Sequence, residues 1–450
     1  MPKKKTALTI EERLQQALVP AEEQPYEVPE NWVWVYGKNI FMPMESRKPD
    51  GEDFYYIDID VIDNKNQVVT EAKKIKTAQA PSRASRKLHT GDTVFSLVRP
   101  YLKNIAYIDV QLSDCIASTG FFVCTPNAAL NDKYLYRLMV SSYVVDGLNK
   151  HMKGDNAPSI RKDDIENYPF PLPPLSEQQR IVERIEELFA KLDEAKERLQ
   201  EVADSFAVRK AAILHKAFTG ELTKQWRREN GVRDESWEEK KLGEVGVLER
   251  GRSKHRPRND ERLFGGIYPF IQTGDVANAD MFIEKHSQTL SDFGMQQSKL
   301  FAKNTICITI AANIGKVAIL SYDSCFPDSV VGLTTDEKNS YKYVYYYLST
   351  QQKELESKAP ATAQKNINLK VLNDLDIPLP SLPEQHEIVR LIDDLLARER
   401  AAKQATEQAL ASIDLMKKSI LARAFRGELG TNKASEASAL ELLKQVLAEN

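Results

Sequence analysis

The side chains that could do chemistry lie in a short stretch near residue 330. Pro327-Asp328, followed by Asp336-Glu337-Lys338, has the loose spacing of a Mg²⁺-dependent nuclease, a pair of metal-holding carboxylates with a lysine. The same residues also read as a turn after a strand, then an exposed polar loop. A phosphate-cradling loop needs two glycines ahead of its lysine and a hydroxyl after it. Ile314-Gly315-Lys316 has Ile310 at the first glycine position and Val317 in place of the hydroxyl. The Pro-Pro of Tyr168-Pro-Phe-Pro-Leu-Pro-Pro-Leu175 lacks the polar residue before it and the aromatic after it that a base-methylating loop uses. The six histidines cluster neither with one another nor with Cys115, Cys124, Cys307 and Cys325, and no Cys-x-x-Cys occurs. The expectation is a chain with no catalytic residue and no metal site.

What remains is charge. The chain has 62 Lys+Arg against 65 Asp+Glu, a net charge of −3, which excludes a uniformly basic coat for nucleic acid. Locally the balance is different. Between Lys73 and Lys103 there are eight basic residues (Lys73, Lys74, Lys76, Arg83, Arg86, Lys87, Arg99, Lys103) against Asp92 alone. From Arg250 to Arg258 there are five and no acid. Duplex DNA carries a phosphate charge about every 1.7 Å of its axis, and clustered Lys and Arg displace its counterions. Base edges are read by Arg, Lys, Asn and Gln. The candidate DNA-binding set is therefore those eight residues with Tyr101, then Arg250, Arg252, Lys254 and Arg256, and the polar positions Gln272, Thr273, Asn313, Lys316, Gln364, Lys365 and Asn366.

These windows need elements to hold them, and an internal repeat shows where the elements are. Pro171-Leu-Pro-Pro-Leu-Ser-Glu-Gln-Gln-Arg-Ile-Val182 recurs as Pro378-Leu-Pro-Ser-Leu-Pro-Glu-Gln-His-Glu-Ile-Val389, and Lys210 to Leu222 recurs as Lys417 to Leu429. Both copies are shifted by 207 residues, with 22 identities over 52 positions, so this is a duplication. Proline starts each copy, Ser176 is a plausible N-cap, and Gly220 and Gly427 supply the residue expected past a helix end. Between these signals, residues 181, 185, 188, 192, 195, 199, 202, 206 and 213 form an a/d seam. The second copy repeats it at Ile388, Ile392, Leu395, Ala402, Ala409, Ile413 and Ile420, interrupted by Glu399 and Thr406. Two helices of roughly 60 Å are expected to bury each other as an antiparallel pair with a β-rich domain at each end. The two large segments echo each other: residues 89–108 line up with 301–320 as mostly strand, and Lys133–Leu138 with Lys342–Tyr347 as helix.

On these duplicated Leu-Pro-x-Leu-x-Glu-Gln starts, heptad helices and Ala-Phe-x-Gly-Glu-Leu ends, the chain resembles the specificity subunit of Type I restriction-modification systems over residues 30–430. The fold class implied is α+β: two mainly-β target recognition domains with associated helices, joined by two long helices in an intramolecular antiparallel coiled coil. The expected division is an N-terminal extension (1–29), recognition domain 1 (30–172), a spacer helix (173–224), recognition domain 2 (225–379), a second spacer helix (380–430) and a tail helix (431–450). The resemblance implies a non-catalytic subunit that reads a bipartite, asymmetric site in double-stranded DNA. It also implies two methyltransferase (modification) subunits and restriction/translocase subunits as partners. S-adenosylmethionine, ATP and Mg would sit in those partners, with no cofactor in this chain. Helix is expected at Ile10–Leu18 and over 434–450, with both chain ends near the coiled coil. No apolar run follows the basic Met1–Lys5 and none spans a membrane, so a cytoplasmic, reduced protein is expected. Two other readings stay open at this point: a free-standing nuclease using Asp328, Asp336 and Lys338, and a coiled-coil scaffold that never touches DNA.

Overall fold

A computed structural model describes residues 9–233, 236–359 and 366–449. The chain forms two compact units, Met1–Leu199 with Gln408–Asn450, and Gln200–Glu407.

In the first unit a strand from each end of the recognition segment closes it: Val33–Tyr36 pairs antiparallel with Pro169–Leu172. Inside lie the short antiparallel pair Ile62–Asp63 with Val68–Val69 and two larger sheets. One has the order Phe121–Cys124, Thr93–Ser96, Ile105–Tyr107, and its central strand is wholly buried. The other has the order Lys73–Lys76, Asp53–Ile57, Ile116–Ser118, Ala84–Lys87. Helices Asp132–Met139 and Ser142–Asn149 follow, capped by Asn131 and Ser141 side chains that accept from the backbone N–H groups of Tyr134 and Val144.

The second unit repeats this plan. Glu238–Lys241 pairs antiparallel with Asp376–Leu379. One sheet has the order Gly246–Arg250, Val330–Thr335, Ile306–Thr309, Val317–Leu320, Phe282–Ile283. The other runs Gln288–Leu290, Phe264–Phe270, Ser324–Cys325, Leu300–Phe301, and the helix Tyr341–Thr350 packs its buried Tyr343, Val344 and Leu348 on the core. The aligned segments 89–108 and 301–320 are thus the same strand–loop–strand hairpin in each unit.

The two long helices are Leu175–Phe218, of 44 residues, and Leu382–Ala424, of 43. Within the first unit, Ile181 and Ile185 of one share a core with Leu421 of the other, and Asp193 pairs with Lys417. Within the second unit, Leu214 and Ala217 share a core with Ile388, Ile392 and Leu396, and Arg209 Nε lies 2.9 Å from Glu399 Oε2. Early residues of one helix meet late residues of the other in both units, so the pair is antiparallel. Two expectations about these helices are corrected. Ser176 lies inside the first turn, because the helix begins at Leu175 and the Pro174 carbonyl accepts the N–H groups of Glu177 and Gln178. Val202 is 40% exposed rather than in the seam. The two interrupting residues do not break the pairing: Glu399 is ion-paired, and Thr406 is buried with its hydroxyl donating 2.8 Å to the Ala402 carbonyl.

The first unit also takes in a helix from near each end of the described residues. Helix Ile10–Ala17 lies against Ala439–Glu449, where Arg13 donates to the Leu447 carbonyl at 3.1 Å. Ala439, Leu443 and Val446 join the core of Ile181, Ile185 and Phe425.

Candidate nucleic-acid interface

The nuclease-like carboxylates are each committed to local structure. Arg258 Nη2 lies 2.9 and 3.1 Å from the two Asp328 oxygens, and Arg250 donates to the Asp328 carbonyl. Asp336 Oδ1 accepts from the Lys338 backbone at 3.0 Å and from Asn339 at 2.8 Å, closing a turn. Among the described residues no group of three or more His, Cys, Asp or Glu is placed to share a metal ion.

The duplicated Glu-Gln dipeptides have a structural task. Gln178 donates to the carbonyls of Ala129 and Pro173, each at 2.9 Å, and accepts from the Asn131 backbone at 2.7 Å. Gln385 donates to the Pro380 carbonyl at 2.9 Å and to Asn339, and accepts from the Ser340 backbone. Each glutamine therefore ties a long helix to the start of a recognition-domain helix. The preceding glutamates are fully buried. Glu177 accepts from Trp32 Nε1 at 2.7 Å and Asn432 at 2.8 Å; Glu384 accepts from Thr223 and Arg227, both at 2.7 Å. The phenylalanines at the helix ends complete the clamp. Phe425 meets Tyr134 edge-on at 5.5 Å in the first unit, and Phe218 meets Tyr343 at 5.4 Å in the second.

The basic windows divide by what neutralises them. Lys73 pairs with Asp60, Lys74 with Asp53 at 3.1 Å and Lys87 with Glu45 at 2.6 Å. Those acids come from elsewhere in the chain, so the run of lysines is far less positive in three dimensions than in sequence. Lys76 and Arg83 are exposed and Arg86 is half-buried, all on or beside the four-stranded sheet, with no ion pair among the described residues. Arg99, Tyr101 and Lys103 form a separate loop around the 3₁₀ turn Pro100–Leu102. In the second unit Arg250, Arg252, Lys254 and Arg256 are exposed, and Arg256 donates to the carbonyls of Ser253 and His255. Gln272 stands just before helix Thr273–Asn278, rather than in an open loop, and donates to Gln288 at 2.9 Å. Asn313 is exposed at the tip of the loop after Ile306–Thr309, and the Lys316 backbone closes that loop on the Thr309 hydroxyl at 3.1 Å. Asn366 bridges Ala311, while Gln364 and Lys365 lie outside the described residues.

One group escaped the sequence reading. The segment 153–159 crosses beneath the Arg99 loop: Val98 bridges Ser159, the Arg99 N–H donates to the Pro158 carbonyl, and its guanidinium donates to the Asn156 carbonyl, both at 2.8 Å. Ala311 with Asn366 is the matching bridge in the second unit. Lys-Gly-Asp-Asn-Ala-Pro reads as an ordinary turn, and nothing local reveals which loop it supports.

A family model described as the Type I restriction modification DNA specificity domain matches residues 38–204 and 234–411, well over half of the chain. Relatives include the Escherichia coli EcoBI specificity subunit, 27% identical over 347 residues (71% of this chain, 72% of that one). The EcoKI specificity subunit of Escherichia coli K12 is 25% identical over 346 residues, covering 73% and 74%. The HsdS subunit from Thermoanaerobacter tengcongensis matches in structure with a TM-score of 0.70 and 27% identity, covering 90% of this chain and 99% of that one. A chain from a study of assembly and conformational transition of the type I R-M system matches at TM-score 0.71 and 28% identity, covering 90% and 100%. Among the described residues no helix is long and apolar enough to cross a membrane. With two matched domains, two like-built units and a paired-helix connection, the chain belongs to the DNA specificity subunits of Type I restriction-modification systems.

Proposed function

We propose that each unit reads one half of a bipartite, asymmetric DNA site, and that this chain brings two methyltransferase subunits, with restriction/translocase subunits, to the site it selects. The carrying observation is that one β-rich plan occurs twice with different exposed basic and polar side chains, as expected of two readers of different half-sites. S-adenosylmethionine, ATP and Mg belong to the partners in this reading, and the cell compartment is the cytoplasm. In the first unit the DNA-facing set is Lys76, Arg83, Arg86, Arg99, Tyr101 and Lys103; in the second it is Arg250, Arg252, Lys254, Arg256, Gln272, Thr273, Asn313, Lys316 and Asn366. Lys73, Lys74 and Lys87 supply field rather than direct phosphate contacts, since each is already paired with an acid. The test exchanges residues 30–172 for the matching segment of another family member and maps methylated sites in the host genome. One half of the recognised sequence should change and the other should persist; a change in both halves, or in neither, overturns the assignment of one half-site per unit.

A further inference from the structure

The loop from Arg99 to Lys103 stores backbone strain to present an apolar tip. Arg99 and Lys103 both take left-handed conformations (φ 48° and 56°), which side-chain-bearing residues avoid. Between them Tyr101 is 46% exposed and Leu102 38% exposed. The strain is held from below by segment 153–159, through the Val98–Ser159 bridge and the two Arg99 hydrogen bonds to the Pro158 and Asn156 carbonyls. Arg99, Lys103, Lys153 and Lys418 form no ion pair among the described residues. Burial first, and then the neighbouring Lys418 ammonium, hold the Lys103 pKa below the ordinary lysine value, with Asp146 the acid that opposes them. The equivalent loop of the second unit has the same left-handed turn at Ala312 (φ 61°), but its exposed tip residue is Asn313 and Ile314 is buried. An exposed aromatic-aliphatic pair flanked on the chain by Arg99 and Lys103, neither of them in an ion pair among the described residues, is the composition of a side chain that wedges into stacked bases while lysine and arginine hold the flanking phosphates.

Resting on the reading of the first unit as a DNA reader, we propose that Tyr101, with Leu102, inserts at a base step of its half-site. It then reads how easily that step unstacks, whereas the matching loop of the second unit reads a base edge through Asn313. Segment 153–159 positions the wedge.

The experiment uses the full chain assembled with its modification subunits, on a duplex carrying the methylation-mapped site. 2-Aminopurine is placed at successive positions of the half-site assigned to residues 30–172, leaving out the methylated base, which a methyltransferase itself unstacks. The wild-type complex should brighten the probe at one step. Tyr101→Ala should abolish that rise and weaken binding about 10-fold or more, while Tyr101→Phe keeps both, because stacking needs the ring and not the hydroxyl. Binding by Tyr101→Ala within twofold of wild type, or no brightening at any position with wild type, overturns the wedge. Loss of assembly in Tyr101→Ala, read by native mass spectrometry, overturns it too and makes the tip a protein contact. Arg83→Ala with Arg86→Ala separates failure of the wedge from failure of DNA reading by the first unit. If that variant and Tyr101→Ala both bind normally, DNA reading by the first unit fails; if only Tyr101→Ala does, the wedge alone fails.

Discussion

At the scale of single residues, the repeated Glu-Gln pair shows both the reach of the sequence and its limit. Its recurrence 207 residues apart was visible, yet its task was not, because Trp32, Asn432, Thr223 and Arg227 are distant or unremarkable in sequence. Glu384 is fully buried against Arg227 and Thr223. Removing one partner of a buried ion pair strands the other charge, at a cost of about 3–5 kcal/mol. Glu384→Ala is therefore expected to lower the unfolding free energy of the second unit by that amount in a denaturant titration. Glu177, whose partners are the neutral Trp32 and Asn432 side chains and Thr431, leaves no cation behind, so Glu177→Ala should cost less. Charge shows the same limit: the basic windows were legible, but Asp60, Asp53 and Glu45, which neutralise three of their lysines, sit outside the window and meet it only in the fold.

At the scale of elements, the long helices were the most legible feature, since 3,4-spaced apolar positions bury on any helix that pairs. The details that failed did so for local reasons. A proline pair moved the helix start ahead of Ser176, and Thr406 satisfied its hydroxyl within its own helix and so could be buried. The ends of these helices are expected to matter most. Phe425 is fully buried against Tyr134, so Phe425→Ala should destabilise the first unit by about 3–5 kcal/mol, whereas half-buried Phe218 should cost the second unit less on the same substitution. The terminal segment has an electrostatic tether. Arg180 lies 2.7 and 2.8 Å from the Glu436 carboxylate and holds its pKa below the usual 4.5. A lowered folded-state pKa means stability that is present above the unfolded value and lost as pH falls through the folded one. Amide exchange in Ala439–Glu449 should therefore accelerate, beyond its intrinsic pH dependence, below about pH 4.5. Glu436→Gln should remove that extra pH dependence.

At the scale of the whole molecule, the two-fold plan was readable from the repeat alone, but the way the chain is apportioned was not. The core of the second unit, from Leu214 to Leu396, lies within one continuous stretch, Gln200–Glu407. The core of the first unit needs Leu421, Phe425, Leu443 and Val446 from the far end of the chain. A fragment of residues 200–407 is expected to melt cooperatively by itself, with near-ultraviolet circular dichroism as the measurement. A fragment ending at 407 should instead keep the second unit intact and leave residues 9–199 open to limited proteolysis around Tyr134 and Ile181. The same apportionment sets an order of events on the ribosome. The part translated first must wait, with the apolar stripe of its helix uncovered, until residues 408–450 emerge, while the part translated second can close beforehand. A polypeptide cut short before residue 408 thus carries one finished unit and one that is permanently ajar, a ready mark for cellular proteases.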